Sequence, residues 1–131
     1  MIRALPLLLV SCFLHNDDAA RAVECLRNVP DLVQAERAHR AAFDTFQAAE
    51  AAPRPLPGKQ AVAWAPSPGF AALGWTPMGT VYGVYDVTLS ADGALATVTC
   101  RCDVDGDGEV AIFEQTTDER RARRLTPDDV Y

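Results

Sequence analysis

With 131 residues and a formal net charge of −6, the chain is long enough to bury a core of its own and too short for two ordinary domains. The acidic balance argues against a nucleic-acid-binding surface. Four cysteines, Cys12, Cys25, Cys100 and Cys102, form an even count that invites a disulfide reading, although their positions complicate it.

Residues 1–11 (MIRALPLLLVS) carry one positive charge, Arg3, and then a short apolar run that stops at Cys12, ahead of the polar His15, Asn16, Asp17 and Asp18. That is the build of a secretory signal, and the run is far short of the ~20 apolar residues a bilayer-spanning helix needs. Its ending, Leu9-Val10-Ser11-Cys12, resembles the lipobox of bacterial lipoproteins. The resemblance implies export, acylation of Cys12 as the mature N-terminus, and a membrane partner reached through that lipid anchor. A misplaced start codon, with further chain upstream, is the alternative.

Residues 12–27 form an N-terminal segment of helical composition, and residues 28–131 the expected globular domain. Asn28 is placed to cap a helix whose first turn holds Val29, Pro30 and Asp31, because proline is tolerated there and an acid favours the positive end of the helix dipole. Leu32, Ala35, Ala38 or His39, Ala42, Phe46 and Ala49 follow at spacings of three or four, a narrow stripe of mostly alanine that can approach a sheet closely. His39, at the stripe's edge and without a second histidine or cysteine at ligand spacing, reads as a solvated or core-edge residue. Pro30 would kink or break any helix that continues from the preceding segment.

The proline-rich residues 51–68 read as an extended surface connector, which Phe70, Leu73 and Trp75 should anchor on the core. Residues 80–90 (TVYGVYDVTLS) form a strand with Val81, Gly83, Tyr85, Val87 and Leu89 on one face. Asp92-Gly93 makes a hairpin turn into a second strand over residues 94–102, and residues 110–117 (VAIFEQTT) form a third. Short connections make this an antiparallel meander, one face against the helix and the other toward water. The fold class is therefore α+β, an N-terminal helix packed on a three- to four-stranded antiparallel sheet.

Between the second and third strands, Asp103, Asp105, Asp107 and Glu109 alternate around Gly106 and Gly108. With Glu114 the run fits the calcium-loop pattern D-x-[DN]-x-[DN]-G-x5-E. A helix-loop-helix site would close with the Glu114 carboxylate. A strand starting at Glu109, however, rises ~3.3 Å per residue and carries Glu114 roughly 15 to 20 Å away. The loop is then a tight acidic connection that either serves only as a glycine-permitted turn or holds calcium through Asp103, Asp105, Asp107 and the Glu109 carbonyl. A paired calcium module of dockerin type would need a second loop, and only one is present.

Cys100 and Cys102 share a strand face with Val98, whereas Cys25 precedes the segment expected to pack on the sheet, so a Cys25 bridge to either is not expected. Cys100-x-Cys102 lacks the further ligands of a zinc site. Ser11, His15 and Asp17 fall in the signal region and its border, which removes them as a catalytic triad. Arg120, Arg121, Arg123 and Arg124 read as a solvated basic turn. No catalytic constellation emerges, and the chain reads as a non-enzyme.

Three stretches carry a further resemblance: the helical Ala-Glu-Arg-Ala-His-Arg-Ala-Ala-Phe-Asp-Thr-Phe at 35–46, then Phe70-x-x-Leu73-Gly74-Trp75-x-Pro77-x-Gly79, then Tyr82-x-x-Tyr85-x-Val87. Together with the acidic loop at 103–108 and Thr126-Pro127-Asp128-Asp129-Val130-Tyr131, they are similar to the globular part of type IV pilin-like subunits. The resemblance implies a structural or binding module at the cell envelope, in the periplasm or at the outer membrane, with other pilin-like subunits or envelope proteins as partners. The prepilin cleavage motif and the long apolar helix of that family are absent from these residues. A lipid-anchored pilin-like domain or a pilin read from a late start would reconcile the two halves.

Overall fold

The computed structural model describes residues 5–131, with side chains described from Asp18 onward. The expected signal region, Cys12 included, therefore lies outside the described side chains. A helix α1 (Leu5–Phe43) is followed by β1 (Ala49–Ala52), a short helix α2 (Pro68–Leu73), β2 (Val84–Leu89), β3 (Ala96–Cys102), β4 (Ala111–Thr116) and β5 (Arg123–Arg124). The strands form one antiparallel sheet in the order β1-β2-β3-β4-β5, a meander with α1 packed across β3 and β4. The α+β class and the three central strands agree with the alternation in the sequence. The sheet has five strands, however, not three or four.

Both additional strands are at the edges, and each has a local reason for its weak signal. Ala49–Ala52 has little intrinsic strand preference; pairing with β2 imposes its conformation, and the start of the expected connector is thereby absorbed into the sheet. β5 is two arginines that pair with Phe113 and Glu114, a short charged edge of the kind that discourages further strand addition.

α1 departs further from expectation. It does not begin at an Asn28 cap but runs through Pro30, and Asn28 instead donates from Nδ2 to the Tyr85 hydroxyl at 2.9 Å. A proline inside a helix removes one backbone hydrogen bond and costs ~3 kcal/mol. Packing on both sides offsets that cost, since Ala22, Cys25, Val29, Leu32 and Val33 are all buried in the core. The buried face is this one, joined by Glu24 and Glu36, while Ala38 and Ala42 of the expected alanine stripe are exposed. The core thus extends N-terminal of residue 28.

Cys25 forms a disulfide with Cys100, with Cα atoms 5.6 Å apart. The expectation that Cys25 would not reach the sheet is therefore corrected, for a definite reason: α1 lies on the sheet well before Pro30, over the row in which Tyr85, Cys100 and Phe113 are paired across β2, β3 and β4. Gly83 makes this approach feasible. A Cβ there would lie 2.6 Å from Cys100 Sγ and 2.9 Å from Glu24 Oε2. Cys102 is a free, buried thiol, and burial above all pushes its pKa up to about 11.

At its C-terminal end α1 clamps the hairpin tips. Arg37 donates to the Thr117 and Glu119 carbonyls, and Arg40 to Ala94. Asp44, at φ 63°, ends the helix, and His39 donates from Nδ1 to the Thr45 carbonyl at 2.7 Å, so the histidine serves the chain reversal. Trp64, Phe70, Trp75 and Tyr85 meet ring to ring, which anchors the connector as the aromatic residues foreshadowed.

Candidate functional site

The acidic loop joins β3 to β4, where the alternation of the flanking residues places it. Val104 is fully buried and pins the loop to the core, so the carboxylates at 103 and 105 are fixed on either side of an anchor. Each acid then folds the backbone around itself. Asp103 Oδ2 accepts from the Gly108 N–H at 3.1 Å, Asp105 Oδ1 from Asp107 N–H at 3.3 Å, and Asp107 Oδ1 from Glu109 N–H at 2.8 Å. Gly106 sits at φ 68° with the Lys59 stem lying against it, so a side chain there would be strained as well as crowded.

The outcome is three carboxylates that each offer an oxygen to one point in space, all within 4.8 Å of one another. Ligands on opposite sides of a calcium ion at 2.6 Å are ~5.2 Å apart, so one such ion fits between these oxygens. Asp103 is only 8% exposed, and its second oxygen, Oδ1, is buried without a hydrogen-bond partner. Such an orphan carboxylate oxygen is costly unless a cation or donor meets it. Asp105 is held above its ordinary pKa, first by lost hydration and then by the neighbouring carboxyls of Asp103 and Asp107, against the lowering effect of the Asp107 N–H. Among the described residues no ion pair joins Lys59, or any other base, to the three acids.

Of the remaining expected site residues, Glu109 is exposed and contributes its N–H to Asp107; its carboxylate is not one of the clustered groups. Glu114 lies on β4 and is bonded to Arg123 at 2.6 Å, turned to another partner than the loop. The basic cluster divides. Arg120 and Arg121 are exposed, whereas Arg124 lies over the Phe113 and Tyr131 rings and donates to the Thr126 and Val130 carbonyls.

Two buried acids gave no signal in the sequence. Glu24 is fully committed: its carboxylate accepts from the Tyr82 and Gly83 N–H groups and from the Tyr85 hydroxyl at 2.7 Å. Burial first, and Glu24 next, raise the Tyr85 pKa, so the phenol remains a donor. Glu36 is wholly buried; Oε1 accepts from Gln47 N–H at 2.7 Å and Oε2 has no partner. Burial raises its pKa against the opposing pull of that N–H and of His39. A concavity of about 840 Å³ lies over β1 and β2 beside the Asp86–Arg101 ion pair, away from the acidic loop. Compared with known proteins, the chain matches no family model, no curated protein and no solved structure.

Proposed function

We propose that this chain is a non-catalytic structural or binding module of the cell envelope, pilin-like in kind, whose β3–β4 loop holds calcium through Asp103, Asp105 and Asp107. The observation that carries the metal reading is the buried Asp103 with its unpartnered Oδ1, set beside two further carboxylates on a loop anchored by Val104. Hard oxygen donors on a glycine-containing loop suit calcium, which accepts irregular coordination, better than magnesium, which demands a near-octahedral cage. The order of elements in the resemblance, helix, aromatic connector, then meander, supports the pilin-like reading. A buried disulfide supports export, since such bonds persist in oxidising compartments.

Calorimetry with calcium tests the reading. The expected affinity is weak, on the order of 10⁻⁴ to 10⁻³ M as in extracellular modules, because Glu114 does not close the site. At ten times the dissociation constant, calcium should stabilise the fold by about 1.4 kcal/mol. Asp103→Asn should abolish both effects and Glu114→Gln should leave them. Neither heat nor a shifted melt at millimolar calcium would leave the loop a plain turn. The lipid anchor has a separate readout: Cys12→Ser should release the protein from membranes, because stable anchoring rests on two acyl chains, and unchanged membrane partition would refute the anchor.

A further inference from the structure

The triad is not isolated. Asp105 also lines a cleft of about 440 Å³ whose other walls are Asp18 of α1, Asp128, Asp129 and Tyr131. Four carboxylates from three distant stretches of chain are thereby gathered beside the loop, an arrangement that self-repulsion opposes. Specific contacts nevertheless hold the C-terminal segment in place. The Arg124 guanidinium donates to the Thr126 and Val130 carbonyls and lies 5.7 Å from the Tyr131 ring, and Val130 and Tyr131 pack on the core. The counter-charge near Asp18 is Arg21, at 3.5 Å, with both side chains about a third exposed, a pair that water screens.

We infer that the calcium held by Asp103, Asp105 and Asp107 is shared with this second ring, in which Asp18, Asp128 and Asp129 complete its shell through bound water and so fasten α1, the loop and the C-terminal segment together. The inference rests on the calcium reading above. Calcium takes six to eight oxygens, and three carboxylates with one carbonyl leave part of that shell to be filled. Glu114 is bonded to Arg123 and does not fill it. Asp18, Asp128 and Asp129 do not join the group whose oxygens lie within 4.8 Å of one another, so they act at one remove, hydrogen-bonded to water on the ion. Asp103 brings to the triad a buried oxygen, Oδ1, that has no other partner, and Asp105, common to triad and cleft, joins the second ring to it.

The test pairs calorimetry of calcium binding with hydrogen exchange of residues 125–131, on the full chain. Partners that hold a metal's ligands or waters typically contribute 10- to 100-fold in affinity, so Asp128→Asn with Asp129→Asn should weaken binding about tenfold, as should Asp18→Asn. Glu50→Gln with Asp118→Asn, which removes the same charge elsewhere, should leave the affinity unchanged. Calcium should slow exchange of residues 125–131 in the wild type and not in the Asp128/Asp129 variant. Melts without calcium establish that each variant is folded. Wild-type affinity in the Asp128/Asp129 variant, or binding heat in the wild type with no change in exchange of residues 125–131, overturns the shared shell and leaves the loop site standing. Undiminished binding in Asp103→Asn overturns the loop site itself, and the shared shell with it.

Discussion

Removing the disulfide should destabilise the fold by an amount that the chain length it closes sets. Cys25 and Cys100 are 75 residues apart in sequence. In the chain-entropy account, a loop of that length lowers the entropy of the unfolded chain by about 15 cal/mol/K, or about 4.5 kcal/mol at 25 °C. Native bridges in small exported domains contribute about 2 to 5 kcal/mol when measured, a large part of the 5 to 15 kcal/mol that a domain has in total. Replacing both cysteines by alanine removes the link and leaves only a small void, and Cys102→Ala in the same background keeps the free thiol from forming a new bridge. Urea unfolding followed by circular dichroism should show a lower midpoint with a slope that is equal or steeper, because an unlinked chain exposes more surface on unfolding. A loss below about 1 kcal/mol with an unchanged slope would refute the reasoning, and a peptide map without the Cys25–Cys100 link would identify the failure as one of pairing.

Gly83→Ala should cost about 1 to 3 kcal/mol, since its Cβ would fall 2.6 Å from Cys100 Sγ against a disulfide that cannot swing aside; an unchanged urea midpoint would show that α1 can lift from β2. For Glu36 the sign follows from its raised pKa: the folded chain binds the proton more tightly than the unfolded one, so stability falls as pH rises from the ordinary glutamate value of 4.5 through the raised one. Glu36→Gln should remove that slope, and a wild-type-minus-variant difference that stays constant from about pH 4 to pH 8 would exclude a role for this carboxyl.

The parts of the fold legible in the sequence are those whose signal is local. Alternation placed β2, β3 and β4 to within a few residues, and Asp92-Gly93 marked the turn between the first two. The acidic triad was legible for the same reason, as a spacing of carboxylates around glycines. What escaped depends on contacts between distant residues. Glu24 and Glu36 occupy core positions of α1, so the true buried face carries two acids, and an apolar stripe read from the sequence drifts onto the alanines at 38 and 42. Asn28 has the chemistry of a cap, but tertiary contact gives its amide to Tyr85. The burial of Asp103, and the approach of Asp18, Asp128 and Asp129 to Asp105, depend on how residues far apart in sequence come together.

The strand order has a consequence for how the chain assembles. In a strictly sequential meander β2, β3 and β4 pair through short connections, so they can zip together quickly, before the loop-closure entropy of longer-range contacts has been met. The disulfide is the opposite case. Cys25 emerges early in synthesis, yet its partner sits on the central strand β3, and Cys102 waits on the same face one pleat away. The sheet therefore acts as the jig in which correct pairing is selected: once β3 is in register, α1 with Val29, Leu32 and Val33 buried sets Cys25 over Cys100 and not over its neighbour. Oxidation ahead of sheet formation would have Cys102 as a competing target, and a folding yield that depends on the order of these two events is built into the placement of Cys25, Cys100 and Cys102.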